Sequence, residues 1–216
     1  MQLSIRPYRP GDREDLYEIC VRTGDNGADA TSLYEDPRIL PDIFVGPYLA
    51  QEPELAFVVA DVADVAGEDR ALGYILGTAD TRRFVARYLA DWLPAVVDRY
   101  PDDGGRGSEL RHPEYMLGPE VDEYPAHLHI DLLPQAQGQG LGRQLMRSYL
   151  GALRERGVER VHLAMGERNV SARAFYDRLG FAELARPVPG LVVLGRGTDM
   201  EPATSPGGSG PSAPTR

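Results

Sequence analysis

The sequence contains a single cysteine, no long apolar run, and no Cys/His pairs at the spacing of a zinc site. One cysteine excludes an internal disulfide, and a membrane-spanning helix needs about 20 consecutive apolar residues. Charged residues follow the first few residues at once, so we expect no signal peptide. These absences predict a cytoplasmic protein that binds neither a metal nor a membrane. Cys20, on the apolar stripe of a predicted helix, is expected to be buried and structural.

Positive charge is also scarce, with 23 Lys and Arg against 33 Asp and Glu and a net charge of −10. Nonspecific nucleic-acid binding needs clustered cations, so we expect no nucleic-acid partner. The negative charge suits an amine substrate through long-range steering, and it also suits plain solubility. Hydrophobic residues make up 42% of the 216 residues, which is enough for the core of one domain.

The most informative segment runs from Leu132 to Arg143. An apolar strand ends at Pro134, glycines follow at every second position, and an amphipathic helix starts at once. Such a turn leaves backbone N–H groups unpaired at the positive end of a helix dipole, which attracts phosphate. Glycine keeps the approach free of a Cβ atom. The alternative is a tight turn without a ligand, and three glycines at a helix start favour the ligand because glycine weakens a helix.

Two common phosphate motifs do not fit this segment. A dinucleotide fold needs G-x-G-x-x-G, but Arg143 stands where the third glycine would be. The acidic Glu159 has the right separation, yet it precedes the next strand rather than ending it. A P-loop needs a Gly-Lys pair, which the chain does not contain.

A third pattern fits. Residues Gln137 to Gly142 read Gln-x-x-Gly-x-Gly, which resembles the acetyl-CoA pyrophosphate loop of the GNAT acetyltransferases. Residues Asn169 to Phe181 are similar to the N-x-x-A-x-x-F-Y-x-x-x-G-F segment of the same family, in the correct order. The resemblance spans about residues 3–195. With the run from His127 to Pro134, the chain looks similar to bacterial relatives of the acetyltransferase-like domain of eukaryotic O-GlcNAc hydrolases.

The resemblance implies the GNAT fold, an α/β (α+β) architecture. Its mixed, mostly antiparallel central sheet of about six to seven strands is flanked by helices, here with a helical and loop insertion. We expect one domain over residues 1–200, with the insertion at 80–124, and a disordered tail over 201–216. Residues 24–53 are expected to form loop and one short helix. The strands predicted from the residue pattern are Leu3–Pro7, Leu55–Val62, Arg70–Thr78, His127–Leu133, Arg160–Met165 and one or two within 186–198.

The resemblance also implies direct acetyl transfer from acetyl-CoA to a primary amine, either of a small molecule or of a protein. The backbone of Ile130 and Leu132 would contact the pantetheine, and the amides from Gln137 to Arg143 would hold the pyrophosphate. The complete set of expected cofactor residues is Ile130, Leu132, Gln137, Gly138, Gln139, Gly140, Leu141, Gly142, Arg143, Asn169 and Tyr176.

Two residues of the second motif carry roles by the same resemblance. Tyr176 matches the tyrosine that faces the CoA sulfur as general acid, and its alternative is a tyrosine packed in a helix. Asn169 matches an asparagine that hydrogen-bonds near the cofactor, and its alternative is a helix cap.

The general base is less clearly marked. His127, His129 and Asp131 alternate on one face of the strand before the glycine loop. Histidine titrates near neutrality, and burial can raise an aspartate into the same range. His129 and Asp131 are therefore the candidate bases, while a carboxylate paired with arginine, a structural histidine and a water chain are the alternatives.

Two other functions stay open at this point. One is a noncatalytic acetyl-CoA-binding (pseudo-acetyltransferase) or scaffold domain, since a fold can outlive its chemistry. The other is a partner-binding module that uses residues 80–124. Neither that segment nor residues 24–53 carries a readable code for the acceptor, and a homodimer is compatible with the sequence.

Overall fold

The computed structural model describes residues 2–62, 69–101 and 107–199. Seven strands form a single sheet, and seven α-helices accompany it in the described ranges. In chain order the elements are β1 Leu3–Pro7, α1 Arg13–Thr23, α2 Ile39–Phe44, α3 Gly46–Gln51, β2 Phe57–Asp61, β3 Arg70–Thr78, α4 Thr81–Arg87, α5 Leu93–Val96, β4 Ala126–Leu132, α6 Leu141–Glu155, β5 Arg160–Gly166, α7 Val170–Arg178, β6 Ala182–Ala185 and β7 Leu191–Gly197.

The strand order is β1-β2-β3-β4-β5-β7-β6. All neighbouring pairs are antiparallel except β4 and β5, which are parallel. This confirms the predicted mixed, mostly antiparallel sheet of six to seven strands. The short strand β6 was not predicted, because its four residues carry no clear alternation and its ladder to β7 is interrupted by a register shift.

Strand β4 separates from β5 part-way along its length. It pairs with β3 from Gly73–Leu132 to Thr78–His127. With β5, the pairs found in the described chain are Ala126–Val161 and His127–His162. Beyond His127 the two strands therefore diverge, and the sheet opens towards the glycine loop.

Helix α6 covers one face of the sheet and contacts β1 to β4. Its apolar stripe is buried as the sequence predicts, and its buried residues are Leu141, Leu145, Met146, Tyr149, Leu150 and Leu153. The Tyr149 hydroxyl donates to the backbone oxygen of His127 at 2.7 Å and contacts that of Thr78 at 3.2 Å. It reaches these oxygens across Gly77, whose missing side chain leaves the necessary space.

Helices α1 to α4 cover the other face. Residues 24–53 contain two short helices, α2 and α3, where the sequence predicted one, because Ile39, Leu40 and Ile43 are buried against the rest of the core. Helices this short are marginal alone and depend on such packing. Cys20 is 4% exposed, which confirms its predicted burial.

Residues 80–124, the predicted insertion, begin with α4 and continue through a π-helical segment at Tyr88–Trp92 into α5. Pro94, in the first turn of α5, cannot donate a helical hydrogen bond, and the backbone takes the π-helical form in the turn before it. Three 3₁₀ turns follow at 108–110, 113–116 and 119–122. Residues 102–106 and the predicted tail, 201–216, lie outside the described residues.

A buried carboxylate joins the insertion to the core. Asp42 of α2 has no exposed surface and accepts hydrogen bonds from the hydroxyls of Tyr17, at 2.8 Å, and Tyr100, at 2.7 Å. Arg99 lies 3.3 Å from the same carboxylate, and Trp92 Nε1 donates to the Asp42 backbone oxygen at 2.8 Å. The insertion is thus held against α1 and α2.

Candidate active site

The glycine loop joins the open end of β4 to α6. Gly138 and Gly140 have φ angles of +74° and +77°, a conformation that other residues rarely adopt. No heavy atom lies within 4 Å of a Cβ built at either position, so open space faces both glycines. Gln139 Nε2 donates to the Gln135 oxygen at 2.8 Å, and this contact closes the loop on itself.

Backbone donors converge at this loop. Among the described residues, the N–H groups of Gly138, Gln139 and Gly140 donate to no backbone carbonyl, and no side chain caps the start of α6. The first N–H groups of α6 add to them, and the dipole of a 15-residue helix favours negative charge at this end. The open space and the donors together fit a diphosphate.

The third glycine of the motif, Gly142, has a packing role. A Cβ at Gly142 would lie 3.2 Å from the ring of Phe175, so Gly142 permits close packing of α6 against α7. Leu141 is buried in the core and Arg143 is exposed. The predicted contacts of these three residues to a cofactor therefore concern the backbone amides of the first helical turn.

The open edge of β4 presents backbone groups. Leu133 N donates to the Leu72 oxygen on β3 at 2.9 Å. Since alternate residues of a strand direct their backbone groups to opposite sides, Ile130 and Leu132 direct theirs away from β3, into the gap beside β5. Gln137 Nε2 donates to the Leu132 oxygen at 2.8 Å across the mouth of this gap. Contact of Ile130 and Leu132 with a pantetheine stays a prediction.

Asp131 faces α1 and is partly buried. The hydroxyl of the fully buried Tyr74 donates to Asp131 Oδ2 at 2.7 Å. Burial raises the pKa of the Asp131 carboxyl, and the hydroxyls of Tyr74 and Thr23 oppose part of that rise. This carboxylate has a protein partner, although the partner is a tyrosine and not the arginine considered from the sequence.

Three histidines cluster where β4 and β5 separate. The rings of His127 and His129 are 6.1 Å apart, and those of His127 and His162 are 5.6 Å apart. Burial lowers the pKa of all three, to about 4 for His129, and repulsion between the rings lowers those of His127 and His129 further. Tyr48 of α3 lies between His127 and His129. Sequence reasoning did not identify Tyr48, because residues 24–53 show no pattern that would mark it.

Tyr176 is 7% exposed and packs edge-on against Phe175 and Phe181, with ring centroids 5.3 Å away in both cases. Burial, and secondly the charge of Asp131, raises the pKa of its hydroxyl. That hydroxyl makes no hydrogen bond to the described residues, so it is available to a ligand. The ring of Tyr176 is therefore packed as in the alternative interpretation, and the role of its hydroxyl stays a prediction.

Asn169 caps α7, since its Oδ1 accepts from Ala172 N at 3.0 Å. The predicted cap is thus confirmed. Because the carbonyl oxygen is used by the cap, the amide NH₂ group is the part that can contact a cofactor. It lies beside Gly27, in the turn that follows α1.

A cavity of about 860 Å³ lies at the opposite end of α6 from the glycine loop. Glu52, Arg83, Arg156 and Arg160 are among its lining, at the C-terminal end of α6. A helix of 15 residues spans about 22 Å, so this cavity is remote from the glycine loop. Its charges are already engaged, as in the pair of Arg83 with Glu52 at 3.4 Å.

Within the described ranges, no group of three His, Cys, Asp or Glu side chains is arranged to hold a metal ion. Among the same residues, no helix combines the length and the apolar character that crossing a bilayer requires.

Comparison with known proteins gives a consistent result. The family model for the acetyltransferase (GNAT) family matches residues 28–181. The crystal structure of SsHAT superposes with a TM-score of 0.86 at 53% identity, covering 93% of this chain and 100% of that one.

Two curated proteins extend the comparison. Protein O-GlcNAcase of Rattus norvegicus is 26% identical over 206 residues, which cover 89% of this chain but 22% of that protein. The chain therefore spans about a fifth of the length of this relative. Streptothricin acetyltransferase of Streptomyces lavendulae is 29% identical over 178 residues, covering 82% of this chain and 80% of that protein.

Proposed function

Since the chain belongs to the acetyltransferase (GNAT) family, we propose that it transfers the acetyl group of acetyl-CoA directly to a primary amine. The observation that carries this proposal is the opening between β4 and β5 beside the glycine loop. A diphosphate held at the start of α6 would let the pantetheine run along Ile130 and Leu132. The thioester would then lie between the face of β4 that carries His129 and Asp131 and the hydroxyl of Tyr176.

Such a site accelerates acetyl transfer mainly by positioning, because holding thioester and amine together removes much of the entropic barrier. It also needs a group that receives the amine proton and a donor for the departing sulfur. Tyr176 suits the second task, since its raised pKa keeps the hydroxyl protonated at neutral pH. It would therefore act by donating a hydrogen bond to the developing thiolate.

The first test is binding. Acetyl-CoA at about 100 times its dissociation constant should add roughly 2.7 kcal/mol to the free energy of unfolding. For a domain of this size that corresponds to a rise in Tm of about 5–10 °C. The Gly140→Ala variant should lose most of the rise, because a Cβ there enters the open space that faces the loop donors.

Gly157→Ala is the matched control. Gly157 follows the other end of α6, has a φ of +73°, and likewise has no heavy atom within 4 Å of its Cβ position. Both variants should lose a similar 1–2 kcal/mol of intrinsic stability from backbone strain. Only Gly140→Ala should change the response to acetyl-CoA. Equal responses in the two variants would contradict the assignment of the loop.

The second test concerns Tyr176. With an acceptor in hand, Tyr176→Phe should lower kcat about 10- to 100-fold and leave the affinity for acetyl-CoA nearly unchanged, because the hydroxyl acts only as the sulfur departs. Tyr8→Phe removes a hydroxyl next to β1, three strands from β4, and should have no effect on kcat. An unchanged kcat in Tyr176→Phe at saturating substrates removes Tyr176 from the mechanism.

The acceptor is best found with a panel of amines and a readout of CoA release. The panel should contain streptothricin, named in one relative, with small amines, amino sugars and peptides bearing lysine or a free N-terminus. The chain has no lysine, so acetylation of its own lysine side chains cannot contribute background. Binding of acetyl-CoA without turnover on any amine would indicate a scaffold in place of an enzyme.

A further inference from the structure

Tyr48 lies at the centre of a buried chain of hydrogen bonds. Its hydroxyl is 2.7 Å from His127 Nε2 and 3.0 Å from His129 Nε2. On the far side of His127, Nδ1 lies 2.8 Å from Thr81 Oγ1, which in turn is 2.7 Å from the Pro125 oxygen. This series of hydrogen bonds connects α3, β4 and the start of the insertion.

The direction of every bond follows from the last acceptor. A carbonyl oxygen can only accept, so the one hydroxyl proton of Thr81 is donated to the Pro125 oxygen. Thr81 must then accept from Nδ1–H of His127, which leaves His127 Nε2 as an acceptor. Tyr48 donates its proton to that nitrogen and accepts from Nε2–H of His129. The remaining nitrogen of His129, Nδ1, carries a lone pair.

Tyr48 is held rigidly in this role. It is 1% exposed and stacks on Phe84 with a centroid distance of 4.3 Å. The sulfur of Met116 is 3.9 Å from the same hydroxyl, but a thioether is a much weaker acceptor than an imidazole nitrogen. The hydroxyl therefore stays between the two rings.

We propose that Tyr48 is a positioning residue which, backed by His127 and Thr81, locks His129 in the tautomer that presents Nδ1 as the base for the amine proton. This inference rests on the proposed acetyl transfer and chooses between the two candidate bases. His129 is partly exposed, and its Nδ1 has no partner among the described residues. Asp131 instead already accepts the Tyr74 hydroxyl at 2.7 Å.

The chemical step balances with these groups. The amine lone pair forms the new C–N bond, and the C–S bond breaks with its electron pair passing to sulfur. The proton lost from the nitrogen moves to His129 Nδ1. The resulting imidazolium keeps its Nε2–H bond to Tyr48 and, because burial lowers the pKa of His129 to about 4, passes the proton on to water without delay.

Histidine tautomers are measurable directly by long-range ¹H–¹⁵N NMR of ¹⁵N-histidine-labelled protein at pH 7. Four histidines give a simple spectrum, and His→Gln variants assign it. We expect Nε2–H for His129 and Nδ1–H for His127. The Nδ1–H form at His129 in the unaltered protein overturns the proposal without any variant.

Tyr48→Phe should release His129 into a mixture of tautomers while His127 keeps Nδ1–H through Thr81. Tyr149→Phe is the matched control, because the Tyr149 hydroxyl bonds to the backbone oxygen of His127 and not to a ring. That variant should leave both tautomers unchanged. If His129 keeps a single tautomer in Tyr48→Phe, the proposed role of Tyr48 is also wrong.

Kinetics separate this proposal from the proposed function. Tyr48→Phe should reduce kcat about 10-fold or more, with the KM for acetyl-CoA and the thermal shift unchanged. If this variant binds acetyl-CoA and has a normal kcat, the positioning role of Tyr48 is wrong and the proposed acetyl transfer still stands. A panel that yields no acceptor rejects the proposed function and the base role with it, while the tautomers still decide the direction of the hydrogen bonds.

Discussion

Lowering the pH from 7 to 5 is expected to reduce the free energy of unfolding by about 2 kcal/mol. The cause is the cluster formed by His127, His129 and His162. The pKa of His129 is lowered to about 4, mainly by burial, from an ordinary value of 6.5. Linkage then gives about 2 kcal/mol for this side chain over the two pH units.

The sign follows from proton uptake. Between pH 6.5 and 4, His129 is protonated in the unfolded chain but stays neutral in the folded protein. The stabilisation is therefore complete above the unfolded pKa and is lost as the pH falls towards the folded pKa. His127 and His162, each 5% exposed, also have lowered pKa values and act in the same direction. The raised pKa of the Asp131 carboxyl acts in the opposite direction. Few other carboxyl groups titrate above pH 5, so the three histidines dominate this range.

Urea unfolding at pH 7, 6 and 5 measures the effect. His129→Gln should make the free energy of unfolding depend less steeply on pH, because glutamine keeps an N–H donor for Tyr48 but does not titrate. His112 is exposed, and His112→Gln should leave the dependence as it is. A stability that is constant from pH 7 to pH 5, or a pH dependence in His129→Gln as steep as in the unaltered protein, would show that the His129 ring is not held neutral by burial.

Replacing Gly77 by alanine is expected to destabilise the fold by about 3 kcal/mol or more. A Cβ at this position would lie 2.1 Å from the His127 backbone oxygen and 2.2 Å from the Tyr149 hydroxyl. Neither group can move freely, since one belongs to the central strand β4 and the other is a fully buried ring. Relief would require β3 and β4 to separate at the base of the proposed site.

Gly151→Ala provides the control with the opposite sign. Gly151 lies within α6, and no heavy atom is within 4 Å of its Cβ position. Alanine there should stabilise the protein by up to about 1 kcal/mol through helix propensity. Urea unfolding of both variants measures the difference. Equal effects of the two substitutions would show that Tyr149 does not need the space above Gly77.

Much of the fold could be anticipated. The strands from β1 to β5 and helix α6 follow from local apolar patterns, and the two motifs led to the family that the comparisons confirm. Helices α2 and α3 and strand β6 were missed or merged. Each has six residues or fewer, so its local signal is weak and its stability comes from packing.

The candidate site was anticipated unevenly. The glycines of the loop were identified as a group, but Gly142 serves packing against Phe175 whereas Gly138 and Gly140 face open space. Tyr48 is separated from His127 by 79 residues and from His129 by 81. No local pattern connects residues so far apart.

Local residue patterns were sufficient for strands β1 to β5 and for the helix start that faces the proposed cofactor, because these features depend on neighbours close in the sequence. The family and the form of the sheet followed from the resemblance that the two motifs carry. The protonation of the three histidines and the direction of the hydrogen bonds through Tyr48 depended on the folded molecule. Burial and hydrogen-bond partners determine both properties, and folding brings those partners together from distant parts of the chain.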